Sequence, residues 1–176
     1  MEEGYCLFDT AIGRCGVVWR DRSISGTQLP GHNDDALRAE ISRRHPDAQE
    51  REPPDFAQQT IDLITSLIAG EPADLSIIAL DMAGVPAFHR KVYALARTIP
   101  PGQTMTYGEV AVALGSPGSA RAVGQALGHN PFVIVVPCHR VIAAGGKSGG
   151  FSAHGGVGTK LRLLSIERGD DLFDAL

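Results

Sequence analysis

Apolar positions follow two successive patterns along this chain. Near the N-terminus they form short, β-branched or aromatic runs. Tyr5-Cys6-Leu7-Phe8 and Cys15-Gly16-Val17-Val18-Trp19 flank Thr10-Ala11-Ile12-Gly13, which predicts two strands and a turn. A third strand is predicted over 23–29 and is broken by Pro30-Gly31-His32-Asn33-Asp34-Asp35. A short helix follows over 36–44, closed by His45-Pro46, and then a polar loop over 46–55 with Pro46, Pro53 and Pro54. Phe56, Thr60, Leu63, Ile64, Leu67 and Ile68 share one helical face, with Gly70 where a C-terminal cap belongs. The run 75–80 predicts a fourth strand.

Beyond a linker at 81–86 the apolar spacing becomes helical. Phe88, Val92, Leu95, Ala96 and Ile99 predict a helix that ends at Pro100-Pro101-Gly102. Thr106 caps a second helix over 107–114, with Glu109 completing a capping box. Ser116 as N-cap and Pro117 as first helical residue predict a third helix, running to about 127. Two short helices joined by a glycine-containing turn predict a helix-turn-helix. Its second helix, built from Ser119, Ala120, Arg121, Ala122, Val123, Gly124, Gln125 and Ala126, is poor in bulky side chains and can approach another surface closely. The run 132–136 predicts a buried strand that stops at Pro137-Cys138-His139-Arg140. A glycine-rich stretch over 145–158 leads to a last helix over 159–167. The expected class is therefore α/β (α+β) in two domains. A small N-terminal sheet-plus-helix domain spans 1–82, a mostly helical domain with the helix-turn-helix spans 86–169, and an acidic tail spans 170–176.

Composition narrows the function. The chain has 176 residues, 43% of them hydrophobic, so disordered and fibrous classes fall away. No apolar run reaches the roughly 18 residues that span a bilayer. Three cysteines do not make a disulfide framework, and the N-terminus lacks a signal peptide's basic start, so an intracellular setting, bacterial cytoplasm or nucleus, is expected. The net charge of −4 argues against a nucleic-acid partner until the chain is split. Residues 1–85 hold 7 Lys/Arg against 15 Asp/Glu, whereas residues 86–168 hold 9 against 2. The motif-bearing half is basic.

Cys138 and His139 are the sharpest chemical feature. A free thiol is only a few per cent thiolate at neutral pH, so a nucleophilic role needs a base or a positive charge nearby. Adjacent side chains on an extended backbone point apart, so a bridging water would join Cys138 to His139. Glu167 is the candidate to orient the imidazole. Cys6 and Cys15 lie in predicted strands and are expected to be structural. With His32 they match no zinc spacing, so no metal and no cofactor is expected.

Val136-Pro137-Cys138-His139-Arg140-Val141 resembles the active-site signature of the O6-alkylguanine-DNA alkyltransferases, the methylated-DNA–protein-cysteine methyltransferases. Five further pieces stand in that family's order: Phe88-His89-Arg90-Lys91-Val92-Tyr93; Pro101-Gly102-Gln103-Thr104 before Thr106-Tyr107-Gly108-Glu109; Ala120-Arg121-Ala122-Val123-Gly124; His129-Asn130-Pro131; and Leu163-Leu164-Ser165-Ile166-Glu167. The resemblance implies single-use repair of O6-alkylguanine, with O4-alkylthymine as a secondary candidate, by irreversible alkyl transfer to Cys138. It implies His139 as base through a water, Glu167 as its orienting acid, Tyr107 as support for protonating the leaving guanine, and Asn130 as organiser of the site. Val141, Phe151 and Ser152 would contact the substrate base. Ser119, Ala120, Ala122 and Gly124 would enter the minor groove of double-stranded DNA, and Arg121 would fill the gap left by a flipped nucleotide. Phe151 stands where many members carry tyrosine, and the 152–158 loop is longer than the family's usual turn. The resemblance implies no membrane partner, and a monomer is expected. Three alternatives remain: a non-catalytic sensor of alkylated DNA, a helix-turn-helix transcription regulator, and a cysteine hydrolase.

Overall fold

The computed structural model describes residues 2–146 and 156–169. The chain forms two compact units, and the class is mixed α/β. Met1–Met82 with Pro131–Val135 make the first; Ala83–Asn130 and Val136–Leu176 make the second.

The first unit is built on a four-stranded sheet of order β3-β2-β1-β4. The strands are β1 (Glu3–Thr10), β2 (Gly13–Arg20), β3 (Ser23–Gln28) and β4 (Gln49–Glu50). β1 and β2 form the expected hairpin, with Tyr5 opposite Val18 and Phe8 opposite Cys15. β4 adds in parallel on the far side of β1. Helix α1 (Asp34–Arg44) starts where the Asn33 side chain accepts the Ala36 amide, and it packs Leu37 and Ile41 against Tyr5 and Val18. Gly16 permits that approach, because a Cβ there would lie 2.8 Å from Ile41 Cδ1. Helix α2 (Asp55–Ile68) buries Ala57, Thr60, Ile61, Ile64, Leu67 and Ile68. It ends as the sequence predicts: Gly70 has φ +82°, and the Glu71 amide returns to the Ser66 carbonyl.

Two predicted strands are absent from this unit. The run 75–80 is instead a 3-10 turn, Leu75–Ile77, capped by the Asp74 side chain, with only Leu80 bridged to Ile24. The run 132–136 is a largely buried turn in which Phe132 bridges Thr27. Thr27 donates its amide to the Pro131 carbonyl and its hydroxyl to the Val133 carbonyl. Ile134 takes φ +76°, which a β-branched residue adopts only when its surroundings impose it. Phe132, Ile134, Val135 and Val136 are all buried, so the apolar pattern reports burial correctly and extension wrongly.

The second unit carries α3 (Ala87–Ala96), β5 (Met105–Thr106), α4 (Tyr107–Ala113), α5 (Ala120–Gly128), β6 (Val141–Ile142) and α6 (Gly156–Arg168). The Thr106 hydroxyl accepts the Glu109 amide, as the capping pattern predicts, and it also donates to the Glu109 carboxylate. α5 starts later than expected. Gly118 has φ +94° and cannot continue a helix back to Pro117, so Ser119 takes the N-cap position without a capping side-chain bond. Ser116 instead shares a hydroxyl contact with Ser119 at 2.7 Å. β5 pairs in parallel with β6, which ties the start of α4 to the residues just after Cys138. Among the described residues, no helix is long and apolar enough to cross a membrane.

Candidate active site

The site lies within the second unit. Cys138 does not end a strand as expected; it opens a 3-10 turn, Cys138–Arg140, directly after Pro137. The turn closes through the Cys138 amide to the Val136 carbonyl and the Arg140 amide to the Pro137 carbonyl. In a 3-10 turn successive side chains leave the backbone about a third of a revolution apart, yet the longer His139 and Arg140 side chains reach one common carboxylate.

His139 and Arg140 converge on Glu167 from α6. His139 Nε2 lies 2.7 Å from Glu167 Oε1. Arg140 grips the same carboxylate with Nε on Oε2 at 3.0 Å and Nη2 on Oε1 at 2.8 Å, while Nη1 donates to the Ile99 carbonyl at 2.7 Å. The His139 and Glu167 side chains are only 1% and 2% exposed, so this is a buried charge cluster. Burial raises the Glu167 carboxyl, but bonds from His139 and Arg140 outweigh it and hold the group down at about 2. Burial lowers the His139 pKa; Glu167 pulls it up, and Arg140 and Lys160 push it down. The balance favours the neutral ring. Its buried Nδ1 has no hydrogen-bond partner among the described residues.

The thiol of Cys138 is buried, which raises its pKa; the Asn130 side chain, the Lys160 charge and the backbone amides of Cys138 and His139 pull it down. Asn130 also donates Nδ2 to the Val136 carbonyl at 2.9 Å, so it braces the turn and meets the thiol together. Tyr107, at the first turn of α4, and Tyr93, on α3, both have their phenol pKa raised by burial and by Cys138, Tyr93 to about 12. Tyr93 donates to the Ala126 carbonyl at 2.7 Å, whereas Tyr107 lies beside the open position of Gly124. The other thiols lack this company. Burial, with Glu50 adding at Cys6, pushes Cys6 to about 11 and Cys15 to about 12, and no histidine contributes to either shift. No group of three metal-ligating side chains occurs among the described residues.

Sequence reasoning named Cys138, His139, Glu167, Asn130, Tyr107 and Val141, and the structure brings all six into one region of the second unit. Phe151 and Ser152 lie outside the described residues. Arg121 stands apart, exposed on α5, with Ser119, Ala120, Ala122 and Gly124 half-buried beside it. One residue was missed. Lys160 is fully buried, donates Nζ to the Val141 carbonyl at 2.7 Å, and sits 5.8 Å from the centre of the Tyr107 ring. Its signal was available: Lys160, Leu163, Leu164 and Glu167 fall at i, i+3, i+4 and i+7, on the inward face of one helix.

Residues 87–169 match the profile described as "6-O-methylguanine DNA methyltransferase, DNA binding domain". A methylated-DNA–protein-cysteine methyltransferase of Mycolicibacterium paratuberculosis is 46% identical over 164 residues, covering 93% of this chain and 92% of that protein. This chain belongs to that methyltransferase family. Solved members of similar architecture include the Mycobacterium tuberculosis O6-methylguanine methyltransferase, with TM-score 0.77 and 35% identity over 95% of this chain and 93% of that one. A second is the same organism's protein crystallised with DNA, at TM-score 0.75 and 34% identity, covering 94% of this chain and 93% of that one. Methylated-DNA–protein-cysteine methyltransferases reverse DNA alkylation directly, by moving the alkyl group onto a protein cysteine.

Proposed function

We propose that this chain repairs double-stranded DNA by transferring the alkyl group of a flipped O6-alkylguanine irreversibly to Cys138. The observation that carries the reading is the buried Glu167–His139 pair beside a buried thiol, in a unit that also bears an exposed arginine on a small-residue helix. The thiol proton passes through a water to His139 Nδ1, the ring nitrogen with no hydrogen-bond partner among the described residues. Sulfur forms a bond to the alkyl carbon as the carbon–O6 bond breaks, and the electron pair leaves on guanine. The Tyr107 hydroxyl supplies a proton to the leaving base, and its raised pKa keeps it protonated until that moment. Normal guanine and a thioether result. The thioether has no hydrolytic exit, so each molecule acts once.

Positioning on DNA falls to the helix-turn-helix. Half-buried Ser119, Ala120, Ala122 and Gly124 present little bulk to a narrow minor groove, and exposed Arg121 takes the place of the extruded nucleotide. A non-transferring sensor of damage would need no nucleophile, so the Cys138 setting disfavours it. The protein works where the DNA is, in a bacterial cytoplasm or a nucleus. The domain role follows: 86–169 carries chemistry and DNA binding.

The test is incubation with duplex DNA carrying O6-methylguanine with a labelled methyl, followed by intact-mass analysis. One labelled methyl per protein is expected, and unlabelled protein that still binds the lesion would refute transfer. Arg121→Ala should slow transfer from duplex DNA by about 10²-fold or more, because a few kcal/mol of unstacking then goes uncompensated. It should leave reaction with free O6-benzylguanine within about twofold, since a free base needs no flipping. Equal losses on both substrates would contradict the flipping role. The rate should also fall on acidification, with the fall displaced below the ordinary imidazole range because burial lowers the His139 ring, and it falls because the imidazolium cannot take a proton. A rate that rose on acidification would contradict the assignment of His139 as base.

A further inference from the structure

Two histidines stand inside segments that carry the family resemblance, yet the alkyl transfer uses neither. His89 lies on α3 and His129 is the C-cap of α5, both within the second unit. Their ring centres are 6.1 Å apart and their planes are tilted by 31°. Tyr93, one turn along α3, lies 6.1 Å from the His89 ring and donates its hydroxyl to the Ala126 carbonyl of α5 at 2.7 Å. That bond pins the two helices beside the pair and fixes the spacing of the rings. His129 is exposed and His89 half-buried. Among the described residues His89 makes ring contacts only.

We infer that His89 and His129 form a proton-gated clamp for one backbone phosphate of the DNA, so that binding DNA takes up a proton. The assignment rests on the reading of α5 as the helix that meets DNA and goes beyond it. Arg121, Gln125 and His129 follow at i, i+4 and i+8 and are all exposed, so His129 shares the face of α5 that carries Arg121. Eight residues of helix are about 12 Å long. The minor groove is only about 6 Å wide. With Arg121 in the groove, His129 therefore stands over its wall, where the phosphates lie. An anionic oxygen that accepts hydrogen bonds of about 2.8 Å from either side fits between two rings at this spacing.

The gating follows from a tautomer. His129 Nδ1 lies 2.8 Å from the Gln125 carbonyl oxygen, and a carbonyl only accepts, so Nδ1 carries the hydrogen. The neutral ring then presents Nε2 as an acceptor, which a phosphodiester oxygen cannot use. The imidazolium presents Nε2–H as a charged donor. A phosphate therefore selects the protonated ring. The charged and titratable groups on the elements packed here are Arg90, Lys91, Tyr93 and Arg97 on α3 and its cap, Tyr107 and Glu109 on α4, and Arg121 on α5. Cations outnumber the one carboxylate in that set, so a phosphate supplies the negative charge that a protonated pair calls for. The coupling is reciprocal: protons tighten the hold on DNA, and DNA retains the proton.

The test is the affinity for an undamaged duplex, measured by fluorescence anisotropy at fixed ionic strength from about pH 5 to 8, the range in which an ordinary histidine changes charge. No alkyl transfer is involved. Wild-type Kd should tighten by up to about tenfold per unit fall in pH, the slope of one proton taken up. His89→Gln and His129→Gln should each weaken binding by about fivefold or more at the acid end, with little change at the alkaline end. Salt gives a second readout. At the acid end the slope of log K against log salt should fall in magnitude by about one in His129→Gln, the loss of one phosphate contact, and at the alkaline end it should match the wild type. His129→Lys keeps its charge throughout and should bind at the alkaline end as the wild type binds in acid. Reaction with free O6-benzylguanine should be unchanged in all three variants. Circular dichroism identifies folded variants, and a His129 variant that does not fold leaves His89→Gln to decide. A wild-type affinity that ignores pH overturns the clamp, as does a folded variant with wild-type pH and salt slopes. Equal losses at both ends of the range overturn the gating by protons. A wild type that binds no duplex at any pH refutes the DNA-binding reading itself. One that binds with the expected slopes but takes no methyl refutes transfer and supports the clamp.

Discussion

Cys138→Ala should take up no methyl at all from O6-methylguanine DNA, while the wild type takes up one per molecule. The reason is chemical rather than structural. Alanine fits the first position of the 3-10 turn, whose closing bonds come from backbone amides and survive the change. Cysteine behaves in a core as a small hydrophobe, so the folded variant should persist with a stability loss of about 1 kcal/mol. It should still bind the lesion. Neither remaining thiol is expected to substitute, because burial, helped at Cys6 by the Glu50 carboxylate, pushes Cys6 up to about 11 and Cys15 up to about 12. Cys138→Ser should be nearly as inactive, since a hydroxyl lacks the polarisable, easily ionised sulfur. The measurement is intact mass followed by peptide mapping. A methyl found on any other residue, or on the alanine variant, would overturn the assignment of Cys138.

Glu167→Gln should be the most damaging substitution away from the sulfur. The wild-type carboxylate accepts from His139 once and from Arg140 twice, with all three side chains at least nine-tenths buried. Glutamine keeps one acceptor oxygen and places an amide where a charge stood. Arg140 then remains a buried cation without its counter-ion, a change that costs about 3–5 kcal/mol in comparable sites. Transfer should fall by about 10²–10⁴-fold, the range expected when an oriented general base is lost. Glu167 raises the His139 pKa, so its removal should also move the acid limb of the rate to lower pH. The stability effect has its own pH signature. The Glu167 pKa is depressed from 4.5 to about 2 in the folded protein, so its contribution is present above 4.5 and is lost as pH falls through about 2. Wild type should therefore lose stability more steeply than the variant across that window, as measured by urea unfolding at several pH values. Parallel curves would mean that the carboxylate is not held by its partners.

Several features of this protein could be read before any coordinates. The β1–β2 hairpin follows from two short apolar runs flanking a Thr-Ala-Ile-Gly turn, and α2 follows from apolar residues at helical spacing with glycine after the last one. The Thr106 cap is a local hydrogen-bond pattern, and local patterns survive folding. Two apolar runs, 75–80 and 132–136, misled for one shared reason. A short apolar stretch specifies that it will be buried, but not by which backbone conformation. Thr27, about a hundred residues away in sequence, supplies the bonds that turn 131–135, and no local rule contains that information. The start of α5 moved for a local reason that a proline signal masked: Gly118 adopts a positive φ just after Pro117.

The candidate site divides along the same line. Residue identity and order determined which groups the chemistry needs: a thiol, an imidazole next to it, and a carboxylate on the final helix. The basic balance of residues 86–168 placed the partner's sign in the same half. Tertiary structure alone decided that His139 and Arg140 share one carboxylate, which ring nitrogen of His139 is left over, and that Asn130 reaches the thiol. It alone decided that Lys160 turns inward, where a lysine in sequence reads as a solvated charge. Periodicity is a property of one element, whereas burial of a charge and the pKa that follows depend on what several elements bring to the same place.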